Sequence, residues 1–263
     1  MPSIRGVIFD LGSTLIRFRG DWTVVLAEGR AAMVAWLEQA GYPLEPTTFD
    51  TAIQRAFETN FRERRQDHRE RASRHILQEV LAEQGVPQVS EDDLGQALRR
   101  LYAPSEACWS PIPGVHDVLT QLRARGLRLG LLSNASDVEN VERLLHGARL
   151  TGFFDPVVIS AAAGARKPTP SLFLAILRGW GMDPGEATMV GDLLGEDILG
   201  AQRAGLHQIW VRAEADPAFN AEHIGIVIPE WTVERLEEVP ALLESVESKA
   251  GTGMARGSKS TSG

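Results

Sequence analysis

Several side chains fall where short apolar runs stop, and their types suit chemistry on an anion. The run Gly6–Phe9 gives way to Asp10, followed by Gly12, Ser13 and Thr14, and Leu127–Leu132 ends at Ser133 and Asn134. After Pro156–Ile159 and a Gly/Ala-rich stretch comes Arg166-Lys167-Pro168, and Ala187–Val190 leads into Gly191-Asp192, with Asp197 beyond. Carboxylates that converge without a thiol or imidazole suit a hard divalent cation such as Mg2+. The Lys167 ammonium and the donors of Ser133 and Asn134 would face an anion. A cation and an ammonium around a tetrahedral anion are the equipment of phosphoryl transfer, in which charge stabilisation and positioning carry most of the catalysis.

These runs have the length and boundaries of buried strands, and helical spacing fills the gaps between them: Val115–Arg125, Val138–Leu145, Pro170–Trp180 and Ile198–Ala204. Strands Gln208–Val211 and Gly225–Ile228 and helix Val233–Leu243 are expected to follow. Buried strands alternating with helices predict an α/β fold, a doubly wound parallel sheet covered on both faces. Ligands bind beyond the carboxyl ends of such strands, where the polar residues lie. From Asp21 to Ala103 the rhythm is helical instead, with helices expected near Trp22–Gln39, Phe49–Arg64, Ala72–Glu83 and Asp92–Leu101. Gly41–Pro43, Arg65–Arg71 and Gly85–Pro87 read as the breaks between them. The expected organisation is an α/β core formed by residues 1–16 and 112–248, an inserted α-helical cap domain at 17–111, and a disordered Gly/Ser/Thr-rich tail at 249–263.

Four motifs in order, each after an expected strand, resemble the haloacid dehalogenase (HAD) superfamily. Asp10–Leu15 stands for its Asp-x-Asp-Gly-Thr-Leu, Ser133 for its strand-end Ser or Thr, Lys167-Pro168 for its Lys-Pro, and Gly191–Asp197 for its Gly-Asp-x4-Asp. The run DILGAQRAG matches the helix after the last motif, and the helical insert is similar to the cap of one large subgroup. The resemblance covers nearly the whole chain and implies a Rossmann-like core. It makes Asp10 the nucleophile that becomes an aspartyl phosphate and Lys167 its catalytic and phosphate-binding partner. It also assigns Ser133 and Asn134 to the phosphate, and Mg2+ to Asp10, the Gly12 backbone carbonyl, Asp192 and Asp197. A capping box Ser136-x-x-Glu139 would free Ser133 and Asn134 from capping duty. Glu196 reads as a helix-start acid.

Gly12 departs from the pattern. The superfamily's phosphatases carry there a second Asp that protonates the leaving group and then activates water, with general-acid catalysis contributing typically ~10²–10⁴ in rate. Asp21, at the mouth of the cap, is a weak candidate substitute. The expected activity is a Mg2+-dependent phosphohydrolase that acts on a small phosphorylated metabolite and favours good leaving groups. The alternatives are a non-catalytic phosphate- or metabolite-binding protein on the same core, and a 2-haloacid dehalogenase. The dehalogenase would need no metal, and its family typically carries an aromatic residue where Gly12 stands.

Composition narrows the partners. The chain has 263 residues, 43% of them hydrophobic, and a net charge of −8, which argues against a broad nucleic-acid footprint. No run approaches a membrane span or has the layout of a signal peptide, so a cytoplasmic location is expected; oligomeric state is not legible. Cys108 reads as an inert thiol. The run Arg62, Arg64, Arg65, Arg69, Arg71 and Arg74, interleaved with Glu63, Asp67 and Glu70, reads mainly as a solvated face, the alternative being that one or two of these arginines meet a second anionic group on the substrate. Cations are written almost wholly as Arg: of 27 basic residues, the lysines are Lys167, Lys249 and Lys259 alone. Lys167 is therefore the one lysine of the expected folded body, placed where a compact ammonium can approach both Asp10 and a phosphate.

Overall fold

A computed structural model describes residues 3–86 and 88–255 of the chain. Strand β1 (Gly6–Phe9) is buried along its whole length, as its uninterrupted apolar sequence requires. The chain then forms β2 (Ile16–Phe18), the helices α1 (Trp22–Gln39), α2 (Pro46–Asp67), α3 (Ser73–Glu83) and α4 (Glu91–Glu106), and β3 (Trp109–Pro111). It continues through α5 (Val115–Ala124), β4 (Arg128–Ser133), α6 (Val138–Gly147), β5 (Val157–Ile159), α7 (Ser160–Ala163) and α8 (Pro170–Trp180). The last part holds β6 (Ala187–Gly191), α9 (Leu199–Ala204), β7 (His207–Val211), α10 (Pro217–Asn220), β8 (Trp231–Val233) and α11 (Val239–Ala255).

Six strands form one sheet in the order β5-β4-β1-β6-β7-β8, and every pairing in it is parallel. This is the expected doubly wound α/β core, with helices on both faces. Because β1 lies between β4 and β6, the direction of winding reverses there, and a crevice opens beyond the carboxyl ends of these three strands.

The four helices from α1 to α4 enclose a hydrophobic core of their own, which includes Met33, Leu37, Phe49, Ile76 and Leu98. Their ends follow ordinary capping rules: Asp21 accepts from the amides of Thr23 and Val24, Glu45 from those of Thr47 and Thr48, and Ser90 from that of Asp93. The insert is reached through β2 and returns through β3. These strands pair antiparallel, Ile16 opposite Pro111 and Phe18 opposite Trp109, so both crossings run side by side.

Several expected boundaries move. Gly225–Ile228 is not a strand: the edge of the sheet is β8, three residues further on, and Gly225 has φ +78° while Ile226 is 76% exposed. Alternating Ile residues imitated a strand, but Trp231, stacked on His207 at 5.2 Å, takes the edge position. The last helix starts at Val239 rather than Val233 and runs to Ala255, so residues 249–255 of the expected tail are helical. Residues 256–263 and Pro87 lie outside the described residues. Helix α2 continues to Asp67, past the break expected at Arg65. At three residues each, β2 and β3 are too short to leave a periodic signature.

Gly29 of α1 lies against α4, where an added Cβ would stand 2.1 Å from the Leu101 carbonyl oxygen. Gly29→Ala is expected to lower stability by about 1–3 kcal/mol, the usual cost of overpacking, as measured by urea denaturation.

Candidate active site

The carboxyl ends of β1, β4 and β6 bring the chemistry-bearing residues together. Asp10 follows β1 directly, its amide donating to the Val190 carbonyl at 3.0 Å, and Asp192 follows β6. Asp10, Asp192 and Asp197 are all buried, and each offers an oxygen within 4.8 Å of the others. The Lys167 ammonium, 1% exposed, sits among them and donates to Asp10 Oδ1 at 2.5 Å and Asp197 Oδ1 at 2.6 Å. Ser133 closes β4 at the same edge and is buried, and its hydroxyl has no partner among the described residues.

Local backbone geometry explains the spacing of the last motif. A Cβ on Gly191 would lie 2.4 Å from the Asp197 carboxylate, so only glycine lets that side chain fold back against the strand end. Residues Leu194–Ile198 form a widened, π-type turn before α9, a feature common at functional sites. It turns Asp197 inward, where Oδ2 accepts from the Leu193 amide at 2.9 Å. The Asp192 carbonyl accepts from Trp210 Nε1 at 2.9 Å and Asn220 Nδ2 at 3.1 Å, and the Asp192 carboxylate accepts from Thr14 Oγ1 at 3.3 Å.

Burial and mutual repulsion dominate the electrostatics. Burial raises the pKa of Asp10, partly opposed by the Lys167 charge. Asp192 is raised well above the usual carboxylate range by burial and by the charges of Asp10 and Asp197. Burial pushes Asp197 up to about 7 against the opposing pull of Lys167. Burial also disfavours the Lys167 ammonium, but Asp10 and Asp197 outweigh it and raise its pKa. Ionised together, three carboxylates against one ammonium would leave an excess of negative charge in a buried crevice, and the raised pKa values express that cost. Oxygen donors so arranged fit a hard divalent cation.

The model of the haloacid dehalogenase-like hydrolases matches residues 4–205, a span that contains all of these strand ends. The chain belongs to this family. Among the relatives of this hydrolase, glyceraldehyde 3-phosphate phosphatase of Pyrococcus abyssi is 28% identical over 80% of this chain and 82% of its own length. The Methanopyrus kandleri protein of the same name is 36% identical over 52% of this chain and 64% of its own length. Phosphoserine phosphatase of Thermus thermophilus is 37% identical, with 52% of this chain and 53% of that protein covered. Among solved structures, a 2-haloacid dehalogenase from Pseudomonas syringae pv. Tomato DC3000 superposes with TM-score 0.63 at 27% identity, covering 92% of this chain and 99% of that one. A HAD phosphatase from Thermococcus onnurineus shares the fold, with TM-score 0.60 at 20% identity over 91% of this chain and 98% of that one.

The surroundings of the site in this hydrolase differ from expectation at several points. The Asn134 carboxamide is taken up by protein: Oδ1 accepts from the Lys167 amide at 2.8 Å, and Nδ2 donates to the Lys167 carbonyl at 3.2 Å and Glu196 Oε2 at 2.8 Å. The side chain of Asn134 thus holds the Lys167 backbone. Glu196 is more than a helix-start acid, since it also accepts from Arg166 at 3.0 Å. The capping box at Ser136 does not form. Asp137 caps α6 by accepting from the Asn140 amide, while Ser136 donates to Glu70 at 2.7 Å and accepts from Arg64 at 2.8 Å. Arg64 is largely buried and Glu70 fully so, which removes both from the solvated face expected of this run. Asp21 is occupied as the N-cap of α1.

Gly12 reveals a residue that sequence patterning missed. A Cβ there would point at Trp109, 3.3 Å from the indole edge. Trp109 packs edge-on against Phe18 at 5.3 Å and Trp22 at 6.1 Å, and Phe18 and Trp22 stack on each other. An aromatic wall stands where an acidic side chain would project.

Lys167→Met, which leaves the three acids without their ammonium, is expected to destabilise the metal-free protein by about 3–5 kcal/mol at pH 7. The folded-state carboxylate pKa values would rise further, so the native state would bind more protons than the unfolded one. Stability should therefore fall as pH increases, and the loss should shrink near pH 5. Urea titrations at both pH values in EDTA check this.

Proposed function

We propose that the protein is a Mg2+-dependent phosphohydrolase that turns over a small phosphorylated metabolite through an aspartyl phosphate on Asp10. One observation carries this reading: three buried carboxylates converge on one another against a single ammonium. An anionic substrate cannot enter such a site without further positive charge, and a divalent cation supplies it. Asp10, the Gly12 carbonyl, Asp192 and Asp197 would hold Mg2+, which when bound neutralises charge on the phosphoryl oxygens. The relatives named as phosphatases of glyceraldehyde 3-phosphate and phosphoserine support a small phosphate ester as substrate.

Lys167 fixes Asp10 through Oδ1; if Mg2+ shares that oxygen, Oδ2 is left as the attacking atom. As the Asp10–phosphorus bond forms, the bond from phosphorus to the leaving oxygen breaks, and that oxygen departs with its electron pair. Water then attacks phosphorus, the bond from phosphorus to the Asp10 oxygen breaks with its electron pair returning to the carboxylate, and the protons of the water leave with the inorganic phosphate or pass to solvent. Ser133 and Lys167 face the phosphoryl oxygens and offset their charge, and the helical insert shields the reaction from bulk water. With Gly12 and an indole on the leaving-group side, no side chain at that position donates a proton. Esters whose leaving groups depart as stable anions or weak bases should be the good substrates.

The dehalogenase among the similar structures gives a second reading, in which Asp10 displaces halide from a 2-haloacid. That chemistry leaves the buried cluster of Asp192 and Asp197 without a purpose. Chloride release from 2-chloropropionate in EDTA would establish it. Tight phosphate binding with no turnover of any ester would instead favour a non-catalytic binding protein.

With Mg2+, aryl and acyl phosphates are expected to turn over about 10²–10⁴ faster than simple alkyl phosphates, the span of a missing general acid. EDTA or Asp10→Asn should abolish release of phosphate from all of them, and a flat dependence on leaving-group pKa would contradict the account of Gly12. Gly12→Asp should raise alkyl-ester turnover toward the aryl rate by about 10²-fold once Trp109 yields a few tenths of an ångström. Steady-state phosphate release by this variant, with and without Trp109→Phe, measures the gain.

A further inference from the structure

Glu70 belongs to the insert, in the short link between α2 and α3, yet its carboxylate is buried completely against the core. It accepts from Ser136 at 2.7 Å, Ser160 at 2.9 Å, Arg166 at 3.1 Å and Arg64 at 3.3 Å. The backbone of the same link pairs with the core. Arg69 bridges antiparallel to Ala165, the Glu70 amide donates to the Gly164 carbonyl at 3.3 Å, and the Arg166 amide donates to the His68 carbonyl at 3.1 Å. Residues 68–70 therefore lie along 164–166, the three residues that precede Lys167.

A chain of polar contacts continues inward. Arg166 forks between Glu70 and Glu196 at 3.1 and 3.0 Å, Glu196 accepts from Asn134, and Asn134 holds both the amide and the carbonyl of Lys167. A buried ion pair is a poor source of net stability, because desolvation offsets most of its attraction. What it does supply is a unique geometry for the groups it joins.

We propose that Glu70 is a positioning residue that sets Lys167 through Arg166, so that the ammonium is aligned on Asp10 only when the insert is docked on the core. Glu70 touches neither substrate nor reacting atoms. Its action runs through the Arg166 fork and the backbone of 164–167.

The test compares Glu70→Gln with the exposed control Glu63→Gln. Hydrogen exchange at the Arg166 and Lys167 amides, relative to the amides of the central strands, is expected to quicken about tenfold in Glu70→Gln and to stay unchanged in the control; Tm falls in Glu70→Gln alone, because Arg64 and Arg166 lose a buried counter-charge. The catalytic half rests on the phosphohydrolase reading. With p-nitrophenyl phosphate and Mg2+, kcat should fall about 10–100-fold while KM stays within about twofold, as expected for misalignment rather than lost binding. If Glu70→Gln fails to fold, Arg166→Lys, which keeps the charge but loses the fork, carries the same expectations. Unchanged exchange at 166 and 167 overturns the proposal, as does faster exchange with an unaltered kcat. Faster exchange in a protein whose wild type hydrolyses no ester upholds the link to Lys167 and rejects the phosphohydrolase reading instead.

Discussion

The ammonium of Lys167 is the contact on which the rest of the site depends. It is buried between Asp10 and Asp197, two carboxylates that would otherwise repel each other across a dry crevice. The two acids are far apart in sequence, one after β1 and one after β6, and the ammonium bonds to both. A positive charge in that place costs much desolvation, and the two carboxylates close beside it offset that cost. Every element near the switch point of the sheet serves this arrangement. β1 delivers Asp10, the widened turn after β6 delivers Asp197, and the segment before α8 delivers the lysine itself.

The same constraint explains the glycine and amide residues around it. Gly191 leaves room for the Asp197 carboxylate, and Asn134 clamps the lysine backbone from the side of β4. Trp210 of the neighbouring strand β7 and Asn220 at the end of α10 hold the Asp192 carbonyl. Their side chains pack against or bond to protein, and they leave the reacting atoms little freedom to drift.

Much of this was legible in the sequence because buried parallel strands and their terminal polar residues leave local signals. The runs before Asp10, Ser133 and Asp192 announce both a strand and its end, and the rarity of lysine singles out Lys167. The supporting contacts were not legible, for physical reasons. Glu70 sits in an Arg-rich run that has the composition of a solvated helix, and only the docking of the insert on the core buries it. Trp109 lies far from Gly12 in sequence and meets it through a three-residue strand with no periodic pattern. Ser136 and Asp137 are equally good capping residues by type, and the choice between them was made by Glu70, a tertiary partner. The false strand at Gly225–Ile228 failed because its apolar alternation faces solvent while Trp231 fills the sheet edge.

The ribbon of β2 and β3 has a consequence for what this architecture tolerates. Both ends of the insert are held about 4.8 Å apart, the spacing of paired strands. Any segment whose own termini meet at that distance could be spliced between Phe18 and Trp109 without rethreading the sheet. A replacement would have to supply anew the acid that reaches Arg166.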